Sequence, residues 1–120
     1  MTTFQCPYCN LEISSTLLEL TNTERLVYSD GEDHVPLGHF IVSNGEYLAG
    51  SEGKVLLNRK DLKNVRLHSD RRRLKGCCGL DGLDGPNLIC SNGHEIGTER
   101  SDCWMPHVVF LEVTRRFWNP

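Results

Sequence analysis

The chain has 120 residues, of which 38% are hydrophobic and 24% are charged, and its formal net charge is −3 at neutral pH. This length and composition suit one folded unit, so we expect a single domain over residues 1–120. The net negative charge excludes a general electrostatic attraction to nucleic acid or to an anionic membrane, which leaves only local binding of that kind.

The first residues lack the basic start and apolar run of a secretory signal, and no stretch has the length and hydrophobicity of a transmembrane helix. We therefore expect a cytoplasmic protein that makes no membrane contact. In a reducing compartment, six cysteines favour metal binding, redox chemistry or buried thiols over three disulfides.

Asp-Gly and Asn-Gly pairs recur along the chain, and they predict short strands joined by tight turns. The predicted strands cover residues 25–28, 39–42, 46–48, 54–57, 87–90 and 107–113. The last of these is the most apolar and suits a central position in a sheet. A short helix is predicted over 59–65 with Asn58 as its N-cap, whereas residues 13–20 fit a helix or a strand equally. The fold class is therefore mostly β, built of short antiparallel strands, with α+β as the alternative.

The amino-terminal segment Cys6-Pro7-Tyr8-Cys9 has two thiols separated by two residues, with proline after the first. This spacing allows a tight turn to aim both sulfurs at one cation. The segment resembles the knuckle of a zinc ribbon, and the alternate apolar residues Leu11 and Ile13 suit the returning strand. Thioredoxin-like redox motifs share the spacing, but they occur in a βαβ context that this sequence does not show.

A zinc ribbon needs a second pair of ligands, and the hairpin around Cys90 can be overlaid on the first knuckle. Gly93 then stands where the second cysteine belongs, so the fourth ligand must come from elsewhere. The candidates are Cys77, Cys78, His94, Cys103 and His107. We favour Cys78, because Gly79 follows it and the Gly- and Asp-rich loop 79–86 can fold back towards Cys90.

The predicted site is therefore one structural zinc ion held by Cys6, Cys9, Cys78 and Cys90, with Cys77 as the close competitor of Cys78. Six cysteines with His94 and His107 would also suffice for two tetrahedral sites, and buried thiol packing is the simplest alternative. The zinc-ribbon resemblance covers only the two hairpins. It implies a binding or adaptor module rather than an enzyme.

Two further segments suggest other functions. Cys103 and His107, beside Asp102, have the residue types of a thiol nucleophile and its base, as in a thiol-dependent enzyme or redox protein, but no helix N-terminus is evident to activate the thiol. Arg71, Arg72 and Arg73, followed by Lys75, form a basic run that could contact nucleic acid, although no aromatic residue is interleaved for base stacking.

The loop 79–86 lacks the Lys-Ser/Thr end of a phosphate-binding loop and is our expected contact surface for a partner. The sequence thus predicts a small zinc-binding protein that acts as a protein-interaction module, such as an inhibitor, adaptor or accessory protein. A nucleic-acid-binding zinc ribbon is the first alternative.

Overall fold

The computed structural model describes residues 1–46, 48, 50–112 and, through their backbone alone, 118–119. The strands are β1 Thr3–Phe4, β2 Leu18–Glu19, β3 His39–Val42, β4 Val55–Leu57, β5 Val65–Leu67, β6 Leu88–Cys90, β7 Glu95–Arg100, β8 Val108–Leu111 and β9 Trp118–Asn119. Three single-turn 3-10 helices lie between them at Thr23–Arg25, Arg59–Asp61 and Arg71–Arg73.

Seven of these strands form one mixed sheet in the order β2-β3-β4-β8-β7-β6-β5. β2 and β3 are parallel, and the other neighbouring pairs of the described sheet are antiparallel. β1 pairs with β9 in a separate two-stranded sheet. β8 therefore lies in the middle of the large sheet, between β4 and β7.

Both faces of the central strands are buried, which explains why β4 and β8 are apolar without alternation. Val55 and Leu57 of β4 contribute to one buried cluster, and Leu56 contributes to the other. Successive side chains of β8 likewise alternate between the two buried clusters. The first cluster contains Phe4, Cys6, Ile13, Leu17, Phe40, Val55, Leu57, Leu88, Cys90, Ile96, Val109 and Leu111. The second contains Leu20, Leu26, Val35, Ile41, Leu56, Val108 and Phe110.

The amino-terminal segment covers the first cluster. Its backbone folds back on itself, since Cys6 N donates to Leu11 O at 2.8 Å and Ile13 N donates to Phe4 O at 2.9 Å. Phe4 is fully buried and meets the Phe40 ring edge-on at 5.0 Å between centroids. This packing brings the amino-terminal knuckle against the end of β6.

The predicted mostly β fold is confirmed. The strand over 39–42 has the predicted bounds. The three strands predicted to begin at residues 54, 87 and 107 each begin one residue later. The last of them, β8, has the predicted central position. Residue 113, the predicted end of that strand, lies outside the described residues.

Other predicted elements were wrong. Residues 25–28 form no strand, because Asn22 accepts a hydrogen bond from Glu24 N and caps a 3-10 turn instead. Glu46 and Leu48 lie in bends, and Tyr47 is outside the described residues. The helix predicted over 59–65 is capped by Asn58 as expected but stops after one turn.

The helix stops early because the next residues join the sheet. Leu62 is already extended, and Val65–Leu67 pairs with β6 as the edge strand β5. The longest strand, β7, was not predicted, since its sequence Glu-Ile-Gly-Thr-Glu-Arg is mostly polar and contains glycine. Its partner strands on both sides determine its conformation. No helix in the described ranges has the length and apolar composition to cross a membrane.

Candidate metal centre

Four side chains from two distant segments converge beside the first buried cluster. Cys6 and Cys9 come from the amino-terminal knuckle, Cys90 ends β6, and His94 immediately precedes β7. One potential ligand atom from each lies within 4.8 Å of all the others. The sheet register therefore gathers residues that are more than 80 positions apart in the chain.

Three of the separations between these atoms match those of a tetrahedral metal site. Zn–S bonds of about 2.3 Å and Zn–N bonds of about 2.0–2.1 Å at tetrahedral angles place two sulfurs about 3.8 Å apart and a sulfur and a nitrogen about 3.6 Å apart. The Sγ atoms of Cys9 and Cys90 are 3.9 Å apart. His94 Nδ1 lies 3.4 Å from Cys90 Sγ and 3.7 Å from Cys6 Sγ.

The geometry of the knuckle follows from its local sequence. Asn10 N donates to Cys6 O at 2.9 Å, and Asn10 has φ 62°, a left-handed conformation that asparagine tolerates better than most residues. The backbone N–H groups of Tyr8 and Cys9 donate to the Cys6 sulfur, and that of Leu11 donates to the Cys9 sulfur. These donors fix the orientation of both thiols and stabilise negative charge on them.

The second half of the centre is the tight turn between β6 and β7. Cys90 N donates to His94 O and Gly93 N donates to Cys90 O, at 2.9 and 2.8 Å. Gly93 has φ 88°, a backbone conformation that glycine adopts without strain. A glycine at this point reverses the chain and brings His94, rather than residue 93, beside Cys90.

The two knuckle thiols have very different acidities in the metal-free protein. Burial raises the pKa of Cys6 to about 11, because a buried thiolate loses its hydration. Asn92, whose Nδ2 donates to Cys9 Sγ at 3.4 Å, and the Leu11 amide lower the pKa of Cys9 to about 6. Cys9 is thus the thiol that is already ionised near neutral pH.

The four side chains supply four ligand atoms, the number that a tetrahedral site takes. Cys6 and Cys90 are fully buried, whereas Cys9 and His94 are partly exposed. The Tyr8 ring lies over the His94 ring, with 5.3 Å between centroids and a 34° angle between planes. Three thiols and one imidazole form a complete donor set of the kind found in closed structural zinc sites.

The structure brings together three of the four predicted ligands, Cys6, Cys9 and Cys90, and adds His94 from the wider set of candidates. Cys78 lies instead in a second group with Cys77 and Cys103, where its sulfur is bonded to that of Cys103. Loop 79–86 does not carry Cys78 to Cys90, because Ser101 N donates to Leu80 O and fastens the start of the loop beside the 101–103 segment. The Cys-x3-His spacing of Cys90 and His94 was the signal that could have identified the fourth side chain.

Cys103 and His107 do not face each other as a nucleophile and a base. The Cys103 sulfur is bonded to Cys78, and His107 Nε2 lies 3.2 Å from the backbone oxygen of Asp102. The thiol-enzyme hypothesis for Cys103 and His107 therefore has no hydrogen bond between these two side chains to support it.

The basic run forms a 3-10 turn capped by Asp70, and acidic groups pair with much of its charge. Arg72 makes two hydrogen bonds to the Asp70 carboxylate, at 3.1 and 2.9 Å. Arg73 contacts Glu95 and the Pro86 carbonyl, each at 3.1 Å. These pairings leave less positive charge for phosphate contacts than the sequence indicates.

Comparison with protein-family models, with curated proteins and with solved structures finds no match to this chain. The chemistry of the site itself is therefore the basis for its function. The fold and the Cys6-Cys9-Cys90-His94 group together define a small mostly β protein whose cysteines and histidine could hold a metal ion.

Proposed function

We propose that this chain is a zinc-stabilised protein-interaction module, in which Cys6, Cys9, Cys90 and His94 hold one structural zinc ion. The observation that carries the proposal is the convergence of these four ligand atoms within 4.8 Å of one another. Three thiolates favour zinc over harder cations, and a complete set of protein ligands suits a structural role.

The zinc ion would link the first residues of the chain to the turn between β6 and β7. The unfolded chain loses conformational freedom when such distant segments share one ion, and the binding free energy adds to the free energy of folding. The centre thereby fixes the start of β7, the strand on which loop 79–86 rests.

Loop 79–86 is held firmly at several points. Asp81 N donates to Lys75 O at 2.8 Å, and Arg73 Nη1 donates to Pro86 O. At Gly82 the backbone approaches β7 so closely that a Cβ atom there would lie 2.8 Å from the Arg100 side chain. The loop is therefore presented to solvent in one defined shape.

The tip of this loop exposes an apolar side chain beside acidic groups. Leu83 is 68% exposed, and Asp81 and Asp84 flank it in the sequence. An apolar side chain held in the open on a fixed loop suits the anchor of an interface. The partner that fits is a protein with an apolar pocket bordered by basic residues.

The interaction is tested by placing a photoreactive diazirine analogue of leucine at position 83 in the cell that naturally makes the protein. The matched control carries the analogue at Leu67, which is also exposed but lies on the edge strand β5. We expect one protein to cross-link at position 83 and not at 67, and to be lost when Asp81 and Asp84 are both changed to Asn. Equal labelling at both positions, or labelling at neither, would contradict the proposal.

A further inference from the structure

A second group of thiols lies apart from the zinc centre. The sulfur atoms of Cys77, Cys78 and Cys103 are within 4.8 Å of one another, and all three residues are exposed. Cys78 and Cys103 are joined in a disulfide with their Cα atoms 5.9 Å apart, and Cys77 remains a free thiol beside them. The proposed function uses none of these three residues.

One buried carboxylate positions all three cysteines. Asp102 is 1% exposed and accepts the backbone N–H of Cys77, Cys78 and Cys103 at 2.8, 2.9 and 2.8 Å. It also accepts from Trp104 Nε1 at 3.0 Å. A disulfide needs only two sulfurs, but this carboxylate fixes the backbone of the third thiol in the same place.

The glycines on either side of Cys77 and Cys78 allow this arrangement. A Cβ atom on Gly79 would overlap the Ser101 carbonyl, and one on Gly76 would overlap the Gly79 carbonyl. The Gly-Cys-Cys-Gly segment therefore packs its backbone directly against residues 101–102. Larger residues at either glycine would push the thiols away from Cys103.

The charge at the group favours a cation. The Asp102 carboxylate, which accepts the amide N–H groups of Cys77, Cys78 and Cys103, brings a negative charge to the group. Asp102 Oδ1 lies 3.4 Å from Cys78 Sγ. A positive ion among the sulfurs would gain from this fixed negative charge.

We propose that in the reduced protein Cys77, Cys78 and Cys103 form a second, exposed site for a thiophilic divalent cation of the zinc type, and that the Cys78–Cys103 disulfide and this cation exclude each other. Three thiolates satisfy three positions of a tetrahedral ion and leave the fourth open to water. The site thus differs from the closed Cys6-Cys9-Cys90-His94 centre, because its cation can exchange.

The two forms are related by a two-electron step. A thiol or phosphine reductant supplies two electrons, and with two protons these convert the Cys78–Cys103 disulfide into two thiols. Binding of the cation then releases the protons of the three coordinating thiols. In the reverse direction, a two-electron oxidant such as a diazene dicarboxamide takes up two electrons and two protons, re-forms the disulfide and releases the cation.

The test counts zinc ions on the full chain by native mass spectrometry. The protein is reduced with a phosphine under anaerobic conditions, loaded with Zn²⁺ and desalted. We expect two zinc ions per chain in the reduced protein and one after mild oxidation that forms the Cys78–Cys103 disulfide. Cys77→Ser, which changes an exposed thiol outside the disulfide, is expected to hold one zinc ion in both states.

The double variant Cys6→Ser/Cys9→Ser, which leaves the first centre with only Cys90 and His94, separates this proposal from the proposed function. It is expected to keep one zinc ion in the reduced state and to lose it when Cys77→Ser is added. The second site is overturned if Cys77→Ser holds as many zinc ions as the reduced native chain, or if phosphine treatment does not reduce the Cys78–Cys103 bond. A single zinc ion that survives Cys6→Ser/Cys9→Ser and disappears in Cys77→Ser would contradict the first centre and support the second.

Discussion

The sulfur atoms of Cys9 and Cys90 lie 3.9 Å apart although 81 positions separate the two residues in the chain. One cysteine belongs to a turn near the amino terminus and the other ends a strand of the large sheet. The proposed shared metal ion would hold these two thiols face to face without a disulfide.

Cys90→Ser is expected to lower zinc affinity by at least about 100-fold and the free energy of unfolding by several kcal/mol, because zinc binding contributes directly to folding. Metal content by plasma mass spectrometry and thermal unfolding measure the two effects. The difference in stability between the native chain and the variant should shrink strongly in excess chelator. If it stays unchanged, the loss arises from packing of Cys90 in the core and not from the metal.

His94→Ala is expected to weaken zinc binding, whereas His94→Cys should retain it, because a fourth thiolate completes an alternative tetrahedral set. Cobalt substitution distinguishes the variants, since its visible absorption reports the number of sulfur ligands. His39→Ala is the matched control, because this ring lies on β3 outside the metal group, with its Nδ1 2.9 Å from the Leu37 backbone oxygen. Full zinc retention in His94→Ala would remove His94 from the centre.

The metal-free protein is expected to show an unusual pH dependence of thiol reactivity. Cys9, with a pKa of about 6, should be alkylated with a midpoint near that pH, while the buried Cys6 should react only in strong alkali. Asn92→Ala should raise the Cys9 midpoint, because the Asn92 amide is the main group that stabilises the thiolate. Peptide mapping after timed alkylation measures both midpoints, and zinc should protect both thiols.

The stability of the metal-free protein should follow from the same two shifts. The pKa of Cys9 is lower in the folded chain than its ordinary value of 9.0. Its contribution to the free energy of unfolding is therefore full above pH 9 and disappears as the pH falls towards 6. The pKa of Cys6 is raised, so the folded state loses stability as the pH rises from 9 towards 11. A stability maximum near pH 9 is therefore expected in chelator. A free energy of unfolding that falls steadily from pH 6 to 9 would contradict this expected maximum.

Asp102→Asn is expected to lower the melting temperature by several degrees, because the side-chain amide has one acceptor oxygen where the carboxylate has two. The native protein should also lose stability as the pH falls from about 4 towards 2, since the folded pKa of Asp102 is about 2 and its ordinary value is 3.8. The variant should lack that part of the acid dependence. Asp84→Asn, which changes an exposed carboxylate in loop 79–86, is the control and should leave the melting temperature within about one degree.

The sequence by itself determined the mostly β class, the central position of β8 and the knuckle at Cys6 and Cys9. These features depend on local patterns: a continuous apolar run, frequent turn dipeptides, and two thiols in one tight turn. Asn58 could likewise be recognised as a cap, because its side-chain oxygen accepts a hydrogen bond from a backbone N–H only two residues away.

Only the tertiary structure decided the rest. The fourth side chain of the metal group could not be chosen from spacing, because the choice between His94 and Cys78 depends on where β6, β7 and loop 79–86 lie. The hydrogen bonds of Asp102 carry Cys78 to Cys103, and the left-handed Gly93 turns His94 towards Cys90. Strand β7 depends in the same way on its neighbours, since its polar sequence gains a strand conformation only by pairing with β6 and β8. Long-range backbone pairing and buried hydrogen bonds leave no periodic signal in the sequence, and they decided which thiols lie together.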